Sequence, residues 1–358
     1  MSASDDTDYV NKIIYYMQGF LVTKAMSSAS KLGVFDILLN SNTPLSCADI
    51  AEQAGCTVDG MNRLLTACVE LELLNATQEN GKYLYSNTHL SRMCIAKSSP
   101  KSLYHIIQLM SDHNYLLSFY MADSIREGKS QYQKLFKVNH EHEDTFSFKL
   151  LYRSEEDTLR FIESMDDIWK VCGKDVTTTF DLSHFNTICD IGGCSGAVAK
   201  LFISEYPNSR VTIFDLPEVL KITKTHFVFP AEKRISFHEG DFFKDPLPEA
   251  DLYVLARVIH DWNDEQCLVL LKNIYKSCKP GGAVLIIEEV LNEDKSGPIQ
   301  SLLWSLLMHI VCNGKERTLS EYDKLLTTAG FQNTDMRTGS LYNAILARKI
   351  KENSMLKQ

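Results

Sequence analysis

The sequence predicts an α/β protein in which a doubly wound, mostly parallel sheet follows an N-terminal helical region. From residue 186 onward, short β-rich runs alternate with helical segments, which is the pattern of βαβ units. Before residue 180, apolar residues recur instead at helical spacing. The length supports this division, because 358 residues are enough for two domains.

The first hundred residues are predicted to form a helical domain with a winged-helix-like order of elements. A helical pattern covers residues 9–40 and breaks at Gly33, so two helices are expected to meet there. A helix-turn-helix pattern with its turn at Gly55 follows, and then a hairpin with its turn at Gly81. DNA binding is not expected, because this region carries 7 basic and 10 acidic side chains. A role in dimerisation or in covering a substrate site is favoured.

Helical patterns continue through a connector, residues 101–180, whose last helix is expected to end on Gly173. The strands of the sheet are predicted at five β-rich runs: TICDI, RVTIF, RISFHEG, ADLYVLA and AVLIIEE. The helix after the fourth run is expected to stop at KPGG, residues 279–282, and a last helix is expected between Thr318 and Gly330. The predicted divisions of the chain are therefore 1–100, 101–180, 181–350 and a polar tail, 351–358.

Charge and composition argue against several classes of function. The formal net charge is −9, so the surface as a whole repels nucleic acids and anionic membranes. No apolar run approaches the roughly 20 residues of a membrane span, and the acidic N-terminus lacks the apolar region of a secretory signal. The ten cysteines form no CxxC pair, which favours reduced thiols in a cytoplasmic protein. Cys189 and Cys194 lie five residues apart without a nearby histidine, so no metal site is expected.

A glycine-rich turn is the strongest local signal of a binding site. The sequence DIGGCSG, residues 190–196, lies where a predicted strand passes into a helix, and glycine there lets a ligand approach the backbone. Asp215 ends the next strand, 19 residues after Gly196, where its carboxylate can accept hydrogen bonds from both ribose hydroxyls. These features predict a nucleoside-containing cofactor and leave a nicotinamide cofactor open. Because the glycine spacing departs from GxGxxG, simple strand-to-helix packing also fits the motif.

Two more segments bring chemically useful side chains to the same edge of the sheet. Gly240, Asp241 and Phe242 follow the third strand and offer an acceptor for an adenine amino group beside an aromatic ring. The fourth strand leads to His260 and Asp261. Ligands of doubly wound sheets bind at the C-terminal ends of the strands, so these side chains are expected at the site. A histidine with a near-neutral pKa can remove the proton of a hydroxyl group that attacks an electrophile.

Several longer motifs indicate a family. The segments DIGGCSGAVAK, VTIFDLPEV, HEGDFFKDPLPEADLYVLARVIHDW, CKPGG and GKERT resemble those of the small-molecule O-methyltransferases that use S-adenosylmethionine. The likeness runs nearly end to end, from KLGVFDILL to YNAILARK. It implies a Rossmann-like methyltransferase sheet, an N-terminal dimerisation domain that forms a homodimer, and S-adenosylmethionine as methyl donor with S-adenosylhomocysteine as product. The implied acceptor is the hydroxyl group of a small aromatic molecule such as a hydroxyindole.

The resemblance also implies roles for residues at matching positions. His260 matches the general base, and Glu288 and Glu316 match the carboxylates that hold its ring and favour the imidazolium. Asp261 matches a contact to the acceptor. The residues that match contacts to the cofactor are Tyr152, Trp169, Gly192, Asp215, Gly240, Asp241, Phe242 and Arg257. No metal is implied, because methyl transfer from a sulfonium requires only in-line positioning and removal of a proton.

One departure from the family pattern concerns the acceptor. In the similar enzymes that act on hydroxyindoles, an asparagine and a glutamine stand one helical turn apart before GKERT, whereas this chain has Leu307 and Val311. The i, i+4 spacing places both side chains on one helix face. If that face lines the pocket, apolar surface replaces two hydrogen-bonding groups, so a less polar phenol is an alternative acceptor. Besides an active O-methyltransferase, a non-catalytic dimeric relative and a nicotinamide oxidoreductase stay open.

Overall fold

The computed structural model describes residues 3–136, 151–227, 229 and 233–351. The chain divides into two compact units, Met1–Asn114 and Tyr115–Gln358. Residues 101–114, predicted as the start of the connector, therefore belong to the first unit. Of the predicted polar tail, all but residue 351 lies outside the described residues.

The first unit consists of helices and one small sheet. In chain order its elements are α1 (Ala3–Lys31), α2 (Val34–Asn40), β1 (Leu45–Ser46), α3 (Cys47–Gln53), α4 (Val58–Glu70), β2 (Leu74–Glu79), β3 (Lys82–Asn87) and α5 (Tyr104–Gln108). Two π-helical segments, Ser91–Ile95 and Leu109–Asn114, flank α5. The three strands pair antiparallel in the order β1-β3-β2.

Local sequence explains where these elements begin and end. Gly33 has a φ of 75° between α1 and α2, a left-handed conformation that glycine adopts without strain. Ser46 and Asp49 form a capping box at the start of α3. Asn80 and Gly81 both have positive φ, as the tight turn between β2 and β3 requires. The predicted helix break at Gly33 and the predicted hairpin at Gly81 are confirmed.

Helix α1 presents a long apolar surface to solvent. The core of the first unit is formed mainly by α2, α3, α4 and the β2–β3 hairpin, and α1 contributes to it only near its C-terminal end, through Met26 and Ala29. Further toward the N-terminus, large apolar side chains are exposed at Tyr9, Val10, Ile13, Ile14, Tyr15, Tyr16, Met17, Phe20, Leu21 and Val22. Contiguous apolar surface of this kind marks an interaction site.

The second unit contains the main sheet. Its elements in chain order are α6 (Tyr115–Ser118), α7 (Met121–Glu127), α8 (Tyr132–Phe136), α9 (Glu155–Thr177), β4 (Thr187–Ile191), α10 (Ala197–Glu205), β5 (Arg210–Asp215), α11 (Pro217–His226), β6 (Ile235–Glu239), β7 (Ala250–Ala256), α12 (Asp264–Ser277), β8 (Cys278–Glu288), β9 (Val290–Leu291), α13 (Ile299–Cys312), β10 (Arg317–Thr318), α14 (Leu319–Ala329), β11 (Gln332–Thr338) and β12 (Asn343–Arg348).

Seven strands form the main sheet, in the order β11-β12-β8-β7-β4-β5-β6. Strands β8, β7, β4, β5 and β6 run parallel, and β12 pairs antiparallel with both of its neighbours. The strand order reverses at β4, because β5 and β6 lie on one side of it and β7 and β8 on the other. Ligands of open α/β sheets bind at such a point, beyond the carboxyl ends of the strands. The predicted doubly wound, mostly parallel sheet is confirmed.

One predicted helix end, at Gly173, is wrong, and the helix end predicted at KPGG is confirmed; glycines make close contacts at both places. Helix α9 continues past Gly173, where a Cβ atom would lie 2.2 Å from Leu201 Cδ1, so this glycine permits α9 to pack tightly against α10. Helix α12 ends at Ser277, just before the KPGG sequence, residues 279–282, and this sequence forms part of β8. A Cβ atom at Gly282 would lie 2.5 Å from the backbone oxygen of Asp251. In both places the absence of a side chain lets two elements pack closely, α9 against α10 and β8 against β7.

The largest core of the second unit lies between the sheet and the helices α12 and α14. Strand β7 is buried along most of its length, as expected for a central strand of a parallel sheet. Helix α14 begins with a capping box between Thr318 and Glu321 and ends at Gly330, which confirms the prediction for this helix. Among the described residues, no helix is long and apolar enough to cross a membrane.

Candidate active site

A cavity of about 590 Å³ lies beside the carboxyl ends of β4, β5 and β7, a size typical of small-molecule sites. Nine residues predicted for the site line it: Tyr152, Trp169, Gly192, Asp215, Gly240, Asp241, Phe242, Arg257 and Asp261. The structure therefore brings together every residue that the sequence associated with the cofactor. The other predicted residues are not among its lining residues: His260, Glu288, Leu307, Val311 and Glu316.

The glycine turn between β4 and α10 forms one wall of the cavity. Gly192 has a φ of 67°, and a Cβ atom there would lie 3.1 Å from Val258 Cγ2, so a side chain would be strained. Asp215 accepts hydrogen bonds from the backbone N–H groups of Cys194 (2.9 Å) and Leu216 (2.8 Å). Its carboxylate thus holds the turn and retains lone pairs for further donors such as ribose hydroxyls.

The loop after β6 forms another part of the wall. The backbone N–H of Gly240 donates to the backbone oxygen of Asp215 at 3.0 Å, which fixes the loop to the end of β5. The Asp241 carboxylate accepts from the backbone N–H of Phe243 (2.9 Å) and from Lys244 Nζ (2.7 Å). The rings of Phe242 and Phe243 meet edge-on, with centroids 4.7 Å apart. A carboxylate and an aromatic ring are therefore held together at the cavity, as the sequence predicted.

Aromatic rings surround a buried guanidinium. Arg257 lies 5.1 Å from the ring centroid of Trp304 and 5.3 Å from that of Tyr342, and it also donates a hydrogen bond to the Tyr342 hydroxyl. The Trp169 ring lies 5.8 Å from the Tyr342 ring. Arg257 has a φ of 58°, a left-handed conformation that is uncommon for a residue with a side chain and is often found at functional sites.

Carboxylates dominate the charge of the cavity lining. Five acidic residues line it, Asp190, Asp215, Glu218, Asp241 and Asp261, against two basic residues, Lys244 and Arg257. Burial and the neighbouring Asp215 raise the pKa of Asp190 to about 8, and burial raises the pKa of Asp215 to about 6. A cationic ligand would stabilise these buried carboxylates, whereas a pyrophosphate would add to their repulsion. The lining therefore fits a positively charged nucleoside better than a dinucleotide.

His260 lies on a 3₁₀ turn, Ile259–Asp261, that follows β7. Its Nδ1 lies 2.7 Å from Glu316 Oε1 and 3.6 Å from Glu288 Oε2. Because Glu316 accepts the Nδ1 proton, the neutral ring carries its lone pair on Nε2. Nε2 lies 3.6 Å from Oδ1 of Asp261, a residue of the cavity lining. The basic nitrogen therefore lies on the cavity side of the ring.

Glu288 holds the turn as well as facing the ring. Its Oε1 accepts hydrogen bonds from the backbone N–H groups of Val258 (3.0 Å), Ile259 (2.9 Å) and His260 (3.3 Å). Its Oε2 and the Oε2 of Glu316 are buried and have no hydrogen-bond partner among the described residues. Glu288 therefore holds the turn with one oxygen and keeps the other 3.6 Å from Nδ1, whereas Glu316 contacts Nδ1 directly, and both carboxylates favour positive charge on the ring.

The cluster makes His260 a stronger base than a free histidine. Burial opposes the imidazolium, but the carboxylates of Glu288, Glu316 and Asp261 outweigh burial and raise the pKa of His260 to about 9. Burial also raises the pKa of Glu288 to about 7, although the charge on His260 opposes that rise. The geometry therefore supports the expectation that this histidine takes up a proton.

Leu307 and Val311 lie one turn apart on α13 and are half-buried. They pack in a cluster that also includes Tyr152 and Phe161, two residues that line the cavity. Leu307 and Val311 therefore belong to an apolar cluster that borders the cavity, without lining it themselves. A contact between these two side chains and the acceptor stays a prediction.

Several lining residues were not predicted from the sequence: Phe161, Met165, Asp190, Glu218, Phe243 and Lys244. Asp190 opens the glycine motif and could have been recognised from that position. Phe161 and Met165 belong to α9, where apolar side chains at helical spacing look the same whether they face a core or a cavity. Their role depends on how α9 packs in the second unit, which no local pattern encodes.

Family models match both units of the chain. The model of the O-methyltransferase domain matches residues 119–332, and the model of the O-methyltransferase dimerisation domain matches residues 14–97. The chain belongs to the O-methyltransferase family. In this O-methyltransferase the cavity and the histidine turn lie within the second unit, which contains the match to the O-methyltransferase domain.

Relatives of this O-methyltransferase match it over nearly its whole length. Acetylserotonin O-methyltransferase from Gallus gallus is 48% identical over 350 residues, which cover 98% of this chain and 100% of the relative. The Homo sapiens enzyme of the same name is 44% identical with the same coverage. The crystal structure of human N-acetylserotonin methyltransferase in complex with SAM superposes with a TM-score of 0.92 at 43% identity, covering 98% of this chain and 100% of that one. PigF with SAH gives a TM-score of 0.82 at 26% identity, with the same coverage.

Proposed function

We propose that this O-methyltransferase transfers the methyl group of S-adenosylmethionine to the hydroxyl group of a hydroxyindole, with N-acetylserotonin as acceptor and melatonin as product. The observation that carries the proposal is the 2.7 Å pairing of His260 Nδ1 with Glu316 beside a cavity whose charged lining residues are mainly acidic. The 48% identity to an acetylserotonin O-methyltransferase supports the choice of acceptor.

The residues of the cavity fit the chemistry of the cofactor. When bound, S-adenosylmethionine supplies a methyl group on a positively charged sulfonium. Asp215 is placed to accept hydrogen bonds from the ribose hydroxyls, and Gly192 lets the backbone approach the ligand closely. Asp241 and Phe242 offer an acceptor and a ring for the adenine. The acidic lining favours the positive charge, and the chain needs no metal for any of these contacts.

His260 acts as the general base in this proposal. Its Nε2 would accept the proton of the acceptor hydroxyl while the methyl group passes to the oxygen, the methyl–sulfur bond of the donor breaks and S-adenosylhomocysteine is left. Glu316 holds the ring through Nδ1, and the free oxygens of Glu316 and Glu288 stabilise the imidazolium that forms. Asp261, beside Nε2 on the cavity wall, is placed to orient the acceptor.

A nicotinamide oxidoreductase and a non-catalytic relative are not favoured. A nicotinamide cofactor would bring a pyrophosphate into a lining with five acidic and two basic residues. A non-catalytic relative would have no need of the assembled cluster of His260, Glu288 and Glu316, all three of which are buried and in contact.

Binding measurements on the full-length protein separate the cofactor classes. Titration calorimetry should detect binding of S-adenosylmethionine and S-adenosylhomocysteine, and no binding of NAD at the same concentrations. Heat of binding from NAD alone would remove the methyltransferase proposal.

A homodimer formed through the first unit and a cytoplasmic location belong to the same proposal. The match to a dimerisation domain and the exposed apolar surface of α1 support the homodimer. All ten cysteines are free thiols, which supports a reducing compartment.

A further inference from the structure

A buried arginine, Arg317, donates hydrogen bonds to the backbone of the turn that carries His260. The side chain of Arg317 is fully buried, and it is the largest fully buried side chain among the described residues. Its Nη1 donates to the backbone oxygen of Ile259 at 3.1 Å, and its Nη2 donates to that of Trp262 at 2.7 Å. These two carbonyl groups flank His260 and Asp261. One guanidinium therefore spans the catalytic turn.

The guanidinium is itself held in place. Asp264, the first residue of α12, accepts hydrogen bonds from Arg317 Nε (3.0 Å) and Nη2 (2.8 Å) on one carboxylate oxygen. The planar fork of arginine allows these bonds at the same time as the bonds to the carbonyl groups, which an ammonium group cannot reproduce. The orientation of Arg317 relative to the turn is thus fixed by three separate partners.

The loop before Arg317 adds two contacts to the same turn. A Cβ atom at Gly314 would lie 1.9 Å from the backbone oxygen of His260, so only glycine allows the loop to approach so closely. The backbone N–H of Lys315 donates to that same oxygen at 2.9 Å. Glu316 then reaches the ring of His260. Consecutive residues therefore contact both parts of His260: Glu316 pairs with its imidazole, and Arg317 binds the backbone of its turn.

We propose that Arg317 is a positioning residue, which fixes the 259–262 backbone so that His260 keeps its contact with Glu316 and presents Nε2 to the acceptor. On the other side of the turn, Glu288 accepts the backbone N–H groups of residues 258–260. The N–H groups of the turn are thus bound by the negative charge of Glu288, and its carbonyl groups are bound by the positive charge of Arg317. Loss of either residue lets the turn shift. This inference rests on methyl transfer with His260 as base.

The test compares Arg317→Lys with Arg234→Lys in the full-length protein. Arg234 is a matched control, because it also donates to two backbone carbonyl groups, those of Ile203 and Pro207, both at 2.9 Å. It lies before β6, away from the histidine turn. Both variants keep the positive charge and replace a guanidinium that donates to two backbone carbonyl groups, so both are expected to lower the melting temperature.

Kinetics on S-adenosylmethionine and N-acetylserotonin then distinguish positioning from general stability. For Arg317→Lys we expect kcat to fall by about 10-fold or more while calorimetric affinity for S-adenosylmethionine stays within about threefold, because small displacements of a catalytic group lower the chemical step strongly. The acidic limb of the pH profile should also move to lower pH, because a shifted turn separates the imidazole from Glu316. Arg234→Lys should leave kcat and the profile unchanged.

A second variant covers the case in which Arg317→Lys does not fold. The side chain of Asp264 is exposed, so Asp264→Asn weakens the ion pair with Arg317 while it leaves the buried guanidinium in the protein. It should lower kcat and shift the acidic limb in the same direction, to a smaller extent.

The outcomes separate this inference from the proposed function. Wild-type kcat and an unshifted pH profile in folded Arg317→Lys, or in Asp264→Asn where the first variant does not fold, would overturn the positioning role. Failure of the wild-type protein to transfer a methyl group would instead overturn the proposed function.

Discussion

At the scale of single residues, the reaction depends on how strongly His260 holds a proton. The surrounding carboxylates raise its pKa to about 9, against the effect of burial. A general base works only in its neutral form, so activity below that pH is limited by the small neutral fraction. As pH rises toward the pKa of His260, the neutral fraction grows and kcat/KM of the free enzyme should grow with it.

Glu316→Gln tests the contribution of the ring partner. Glutamine preserves a hydrogen bond to Nδ1 but removes one of the negative charges that raise the pKa of His260. The acidic limb of kcat/KM against pH should therefore move from near pH 9 to lower pH, and the maximal kcat should fall because the imidazolium is less stabilised. The measurement is kcat/KM from about pH 6 to about pH 10. An unmoved limb would mean that Glu316 does not set the basicity of the histidine.

Asp215→Ala tests the ribose contact. Loss of this buried carboxylate should weaken S-adenosylmethionine binding by roughly 1.5–3 kcal/mol, or about 10- to 150-fold in Kd, because it removes a charged acceptor and releases the glycine turn. Calorimetry measures the change.

Asp251→Ala is the matched control for Asp215→Ala. Its carboxylate also accepts backbone N–H groups, those of Asn186 and Thr187, but at the opposite end of β4. The control should lower stability and leave cofactor affinity intact. Equal loss of affinity in both variants would indicate a general effect on the sheet rather than a ribose contact.

At the scale of elements, we expect side chains of α13 to determine which acceptors the enzyme prefers. Its residues Leu307 and Val311 pack in the same apolar cluster as Tyr152 and Phe161 of the cavity wall. The double change Leu307→Asn with Val311→Gln should raise kcat/KM for N-acetylserotonin relative to less polar phenols. Each new hydrogen bond is worth about 0.5–1.5 kcal/mol, so the preference should shift by about 5- to 150-fold.

Exposed residues near the N-terminal end of the same helix supply a control. Ile299 and Leu303 are exposed and have the same i, i+4 spacing, so Ile299→Gln with Leu303→Asn adds the same amides away from the cavity. This pair should leave the preference unchanged. If the first pair instead lowers the melting temperature with no change in preference, Leu307 and Val311 belong to the core and not to the acceptor site.

Elements of the sheet could be predicted where short-range patterns determine them. The five central strands follow from β-rich runs, and α14 follows from its cap residues and Gly330. The helix end predicted at Gly173 is wrong, because glycine permits close packing as well as helix ends. The short strands β9 and β10 depend on pairing between residues 290–291 and 317–318, which no local pattern reveals.

At the scale of the whole molecule, most site residues could be named from the sequence because motif resemblance assigns them position by position. The raised pKa of His260 could not be predicted in this way, since it depends on the distances between its ring and the surrounding carboxylates. The contact between His260 and Glu316 joins residues 56 positions apart, and the hydrogen bond from Arg317 to Ile259 joins residues 58 positions apart. Only the folded second unit shows that one loop provides both contacts.

Association should involve the exposed apolar surface of α1. Light scattering at micromolar concentration should give the mass of a homodimer, because large apolar side chains in contiguous patches favour burial between subunits. Ile13→Glu with Phe20→Glu places charges in this surface and should shift the protein toward monomer. A wild-type monomer under these conditions would contradict a dimer formed through the first unit.

The most direct test of the central claim is the rate at which labelled methyl is transferred from S-adenosylmethionine to N-acetylserotonin by the wild-type protein and by His260→Ala, with product identified by mass spectrometry. We expect the wild-type protein to form the methylated product and the variant to lose about 10²-fold or more of kcat while it retains its calorimetric affinity for the cofactor. Near-normal turnover by His260→Ala, or no methylated product from the wild-type protein, would contradict the account.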